Sequence, residues 1–91
     1  GTIALDNSQL NLTSDTTNTG TITAGTQSGV YALGQLIGGG SVNLAGDGSY
    51  VEVSGATDNT FDFSGNSAEL KVDNSASFGG TINGFNATSM I

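Results

Sequence analysis

The chain is predicted to be all-β: a right-handed parallel β-helix, or β-solenoid, with rungs of about 20 residues, roughly four and a half in number. Three observations predict it. Written in rows near twenty, the sequence falls into columns, with rows 1–19, 20–39, 40–58 and 59–79 and a partial row 80–91. Internal repetition of this period is the signature of a stacked-repeat architecture. Each full row also carries two apolar pairs whose members are two residues apart, the spacing that places side chains on one face of a strand. Finally, Pro is absent, as suits continuous ladders in which every backbone N–H is needed. Right-handedness is the common choice for parallel crossovers rather than something read from these residues.

The elements follow in order along a row. The opening column is Gly1, Gly20, Gly40, Asn59 and Gly80, residue types that reach positive φ at low steric cost, so each row is expected to start with a left-handed corner. A first strand follows, with inward pairs Ile3/Leu5, Ile22/Ala24, Val42/Leu44 and Phe61/Phe63, and Ile82 in the last row. Thr2, Thr21, Ser41, Thr60 and Thr81 then point outward. A turn of small polar residues comes next, as in Gly46-Asp47-Gly48, and is two residues shorter in row one. The second strand places Leu10/Leu12, Tyr31/Leu33, Val51/Val53 and Leu70/Val72 inward, and Ile91 occupies the same position in the last row. Ile37 and Phe78 add a short third inward segment.

Two aligned strands per row describe a coil of parallel strands with one turn per row. At the strand spacing of ~4.8 Å this makes a rod roughly 20 Å long. The competing arrangement is an antiparallel β-sandwich with a strand every nine or ten residues. The period of twenty argues against it, because first-strand turns differ in kind from second-strand turns.

Residues 1–91 read as one solenoid segment. Neither end carries a capping helix or a charged terminal strand, and natural solenoids cap their ends. The sequence therefore reads as an excerpt of a longer solenoid, or as a piece completed by stacking on a neighbour. Exposed end rungs present unpaired edges.

Composition narrows function. The net charge is −7, from eight acids and one Lys, with no His. Nucleic acids and anionic membrane surfaces are disfavoured partners, since both need cationic side chains. No apolar run approaches the ~20 residues of a membrane helix, and no signal peptide is evident. There is no Cys, so disulfides contribute nothing. Gly, Ser, Thr and Asn make up about half the chain, a linker-like composition, but the aligned apolar columns point to an ordered fold.

The pattern Gly-Thr-Ile-x-x-Gly, best carried by Gly20-Thr21-Ile22-Thr23-Ala24-Gly25 and Gly80-Thr81-Ile82-Asn83-Gly84-Phe85, resembles passenger regions of bacterial autotransporters and other large secreted adhesins. The stretch from Phe61 to Phe85 is similar to a repeat of bacterial β-strand-repeat proteins. The resemblance covers nearly the whole chain but reports rung geometry rather than activity. It implies secretion, an extracellular or cell-surface address, and a role in adhesion, matrix or scaffolding; it carries over no functional residue.

Candidate chemistry is sparse, and no residue is assigned a catalytic, cofactor-binding or metal-ligating role. Lys71, the single cation, is expected beside Glu52 on the next rung as a surface ion pair. Acid pairs such as Asp47 and Asp62 lack any sign of a cleft. Calcium is the one ion with candidate ligands, from Asp47, Asp58, Asp62 and Asp73, but the Gly-Gly-x-Gly-x-Asp nonapeptide of calcium β-rolls is missing. The outward Thr column makes a hydroxyl ladder, yet its neighbouring column of Ala4, Thr23, Asn43, Asp62 and Asn83 is too uneven for a flat ice-binding face. Asn43, Asp62 and Asn83 form a partial polar ladder instead. Asn11-Leu12-Thr13 and Asn86-Ala87-Thr88 fit the N-glycosylation pattern and carry little weight in so Asn/Thr-rich a chain.

The expected function is a non-catalytic extracellular rod segment of a secreted or cell-surface bacterial protein. Its partners would be continuation of the same solenoid or self-association, with surface glycans or matrix components as further candidates. The first alternative is a filament subunit polymerising through its end rungs. The lesser alternative is a carbohydrate- or ice-binding solenoid, weakened for carbohydrate by having only Tyr31 and Tyr50, with Tyr31 assigned inward.

Overall fold

A computed structural model describes residues 2–84. Gly1 and the expectations for Phe85, the Asn86-Ala87-Thr88 triplet and Ile91 lie outside the described residues. The first rung holds β1 (Thr2–Leu5), β2 (Gln9–Leu12) and β3 (Thr16–Thr17), and the second holds β4 (Thr21–Ala24), β5 (Gly29–Ala32) and β6 (Leu36–Ile37). The third holds β7 (Ser41–Leu44) and β8 (Tyr50–Val53). The fourth holds β9 (Thr60–Phe63), β10 (Glu69–Val72) and a 3₁₀ turn at Ser75–Ser77, and β11 (Thr81–Asn83) opens the next.

Every strand pairing is parallel, and like strands stack on like. The first sheet runs β1-β4-β7-β9-β11, the second β2-β5-β8-β10, and the third pairs β3 with β6. Single bridges from Leu36 to Thr57 and from Thr57 to Phe78 carry the third column through later rungs. The chain is thus a parallel β-solenoid of about four turns. The antiparallel sandwich is excluded.

The first-sheet register aligns Thr2, Thr21, Ser41, Thr60 and Thr81, as the columns predict. Behind them Ile22, Ala24, Val42, Leu44, Phe61 and Phe63 are buried. Ile3 keeps register with Ile22 but is 45% exposed, because β1 lies at the edge of its sheet.

In row two the inward residues differ from expectation. Val30 and Ala32 are buried, whereas Tyr31 is half-buried on the outer face and Leu33 is 53% exposed. The turn before the second strand explains this. It has three residues in rung one (6–8), four in rung two (25–28) and five in rungs three and four (45–49 and 64–68). Counting ten from the Thr column overshoots rung two by one residue, and a one-residue slip moves every side chain of a strand to the opposite face.

The third segment is corrected in the same way. Leu36, not Ile37, points into the core, and Ile37 is 38% exposed. Phe78 does pack on the core, with its ring centroid 5.7 Å from that of Phe61.

The left-handed corner also falls elsewhere. None of Gly20, Gly40, Asn59 and Gly80 has positive φ. The recurrent positive-φ residue is in the first turn: Asn7 (49°), Gln27 (51°), Gly48 (71°) and Ser67 (54°) form one column. Their amides hold the corner together, with Asn7 N–H donating to Thr26, Gln27 to Asp47 and Gly48 to Asn66 carbonyls. The opening column favours glycine for closeness instead. A Cβ on Gly40 would collide with the Asn18 carbonyl and sit 2.6 Å from the Gly20 oxygen.

Candidate functional site

Three polar arrangements are built by the rungs, and two of them are structural. In the first, Asn59 is fully buried at a corner. Its side-chain oxygen accepts from Asn18 Nδ2 at 2.7 Å, and its own Nδ2 donates to the Leu36 carbonyl at 3.3 Å and to Asp58 Oδ1 at 3.2 Å. Asn18 also donates to the Ser41 carbonyl. A buried amide needs such partners, because an unmet polar group costs about 1–3 kcal/mol. This network ties corners of different rungs together.

The second arrangement is a set of acid staples. Asp15 Oδ1 accepts the Gln35 N–H at 2.9 Å, Asp58 Oδ1 accepts the Gly39 N–H at 3.0 Å, and Asp47 Oδ1 accepts the Asn66 N–H at 3.3 Å. Each joins a carboxylate to a backbone amide one rung away. Of the four Asp residues with ligand potential for calcium, Asp47, Asp58 and Asp73 are thus engaged in hydrogen bonds, Asp73 with Ser54 Oγ at 3.0 Å. Asp62 stands in register between Asn43 and Asn83, as expected of a polar column, but the cross-rung bond on Asn43 comes from Ser64 Oγ at 3.0 Å. Among the described residues no three His, Cys, Asp or Glu side chains converge. The hydroxyl column is continuous, and beside it Ala4, Asn43 and Asp62 interrupt Thr23.

The third arrangement is the candidate site, on the outer face of the second sheet. Register places Gly29 beside Tyr50 and Tyr31 beside Glu52. The two tyrosine rings meet at 5.5 Å between centroids with a 44° tilt. Tyr50 donates its hydroxyl to Glu52 Oε1 at 3.2 Å. Burial, then the adjacent Glu52 carboxylate, pushes the Tyr50 phenol up to about 12, so it stays a protonated donor throughout the physiological range. The rings border a depression of about 440 Å³ whose walls include Asn7, Gln9, Gln27 and Gly29. The residue slip in row two hid this pair: assigned inward, Tyr31 could not meet Tyr50. The signal that could have exposed it is the Val30/Ala32 alternation, equally regular and out of phase with Tyr31/Leu33.

Beside this face, Lys71 and Glu52 are in register as predicted, but the ion pair differs. Lys71 Nζ lies 3.8 Å from Asp73 Oδ1, at the exposed surface. Glu52 instead shares a hydrogen bond with the Asp73 carboxyl, which raises Glu52 and lowers Asp73, with Ser54 helping to lower the latter. Such exposed pairs contribute little to stability, because solvent screens them.

No family model, no curated protein and no solved structure matches this chain.

Proposed function

We propose that this chain is a non-catalytic structural rod segment of a secreted or cell-surface bacterial protein, of the adhesin or autotransporter-passenger kind that its Gly-Thr-Ile rungs resemble. The observation that carries the reading is the unbroken stacking of like strands in register across five first-sheet rungs, over a core of apolar columns. Backbone ladders of this kind resist local opening, because each strand is held by neighbours on both sides. The acid staples serve the same end. Digestion with thermolysin under native conditions tests this. A core running from near Thr2 to near Asn83 is expected to survive while an unstructured control is destroyed; early cuts within β4, β7 or β9 would refute the rod.

A second reading, a filament subunit, is favoured by the apolar side chains that β1 and β2 carry in rung one. Ile3 is exposed there, and Leu5, Leu10 and Leu12 are only half-buried, so an apolar column faces outward along the axis. Electron microscopy across a concentration series separates the two. Fibres lengthening with concentration support it. Thr81 N–H donates back to Asn59, so the next amide along β11, that of Ile82, alternates away from β9. Ile82→Pro is therefore expected to halt growth while sparing the ladder to β9; undiminished fibres in that variant would remove the filament reading.

A further inference from the structure

We propose that the Tyr31–Tyr50 groove binds a pyranose ring of a neutral glycan. The inference goes beyond the structural reading and does not depend on it.

The two rings shape the groove. A Cβ on Gly29 would lie 2.9 Å from Tyr31 Cε2 and 3.1 Å from its hydroxyl oxygen, so the phenol lies down over the glycine. Only a residue without a side chain permits that pose. Tyr50, Gly29's partner on the next strand, meets Tyr31 at 44°, which makes the pair an open V rather than a closed stack. Such rings offer an apolar body with a polar tip. A pyranose is complementary: its axial C–H bonds give it an apolar face, and its hydroxyls project around the rim.

The walls supply the rim's partners. The exposed amide side chains of Asn7, Gln9 and Gln27 border the same depression. Gln9 Nε2 donates one hydrogen to Asn11 Oδ1 at 2.9 Å and Asn7 Nδ2 one to Asp6 Oδ1 at 3.3 Å, which leaves each amide an acceptor and at least one donor for hydroxyls. A volume of about 440 Å³ lies within the range of small-ligand sites. An aromatic floor with a few convergent polar groups is the usual composition of such a site.

Charge selects the class of sugar. Glu52 bonds the Tyr50 hydroxyl, Glu69 is Tyr50's register partner on the far side, and the chain carries −7. Uronates and other acidic sugars would be repelled, so the ligand is neutral.

The protein provides its own reporter. It has no Trp, and its two Tyr residues are both in the groove, so intrinsic tyrosine fluorescence reads this site alone. The whole chain is titrated with cellohexaose, maltohexaose and N-acetylated chitohexaose, and with hexagalacturonate. A saturable change with at least one neutral hexaose and none with the galacturonate is expected. Tyr31→Ala should weaken that binding about tenfold, the equivalent of one good aromatic contact. Because this variant also uncovers Gly29, backbone amide shifts of the unaltered protein give a second readout, expected to centre on Gln9, Gly29 and Tyr50. No saturable response to any neutral hexaose, preference for the galacturonate, or shifts centred elsewhere would overturn the proposal. Failure here leaves the thermolysin result, and with it the rod reading, untouched.

Discussion

Single residues of this solenoid are judged by what the rung above and the rung below leave room for. Ser49 is the sharpest case. Its hydroxyl is buried and has no hydrogen-bond partner among the described residues. Its column runs Ser8, Ser28, Ser49, Ala68, as the backbone bonds from Gly29 to Ser8, Tyr50 to Ser28 and Glu69 to Ser49 establish. Ser28 Oγ accepts the Ser8 N–H at 3.3 Å, and Ala68 shows that a methyl fits the column. Ser49→Ala is therefore expected to stabilise the chain by about 1 kcal/mol, read as a rise in thermal midpoint of roughly 4–8 °C. Gly40 is the opposite case. Gly40→Val drives a side chain into two backbone carbonyls that cannot yield separately, and a loss of about 3 kcal/mol or more is expected in urea denaturation. The columns reveal that Gly40 is special; the reason, crowding rather than a left-handed φ, depends on where Asn18 and Gly20 come to rest.

At the scale of the element, the four-residue strand is too short for propensity to settle which face turns inward. Val30-Tyr31-Ala32-Leu33 alternates equally well in either phase, and the larger apolar pair is the one left outside. Pairing decides it: β5 lies between β2 and β8, so Val30 must stack between Leu10 and Val51, and Ala32 between Leu12 and Val53. Matched substitutions test the assignment. Ala32→Lys is expected to destabilise by more than ~3 kcal/mol, since it buries an unpaired cation. Leu33→Lys should change stability by no more than about 0.5 kcal/mol. Equal effects in chemical denaturation would mean that the strand is out of register. The turns explain the slip. Their length varies from three to five residues while their function is constant, because the positive-φ residue in each closes the corner whether it is Asn, Gln, Gly or Ser.

The whole molecule is a stack whose neighbours interact mainly along the axis, so its surface charges meet in columns. Glu52 and Asp73 are the pair with opposed shifts. With Glu52 raised, the folded chain is favoured while Glu52 is protonated, below its unfolded value, and the benefit is lost as pH rises through the raised value. Asp73, lowered, acts in the opposite sense: its contribution is present above its unfolded value and is lost as pH falls. Glu52→Gln removes the first effect and leaves Asp73 an amide donor. The variant is expected to melt above the parent at neutral pH and to converge on it near pH 3, where the parent's Glu52 is already protonated. A constant difference across that range would show that the two carboxyls do not communicate.

Period, strand order and the outward hydroxyl column are determined by the sequence alone, because a solenoid repeats one local geometry and each rung restates it. The buried columns of the first strand, Ile22-Val42-Phe61 and Ala24-Leu44-Phe63, were legible for the same reason. The tertiary structure alone decides the phase of β5, the positive-φ column, the Asn18–Asn59 link and the meeting of half-buried Tyr31 and Tyr50 on the outer face. All four depend on how an irregular turn in one rung is absorbed by the regular ladder of the next. That compensation acts between residues about twenty positions apart, and 41 apart for Asn18 and Asn59, and no pattern within a single row contains it.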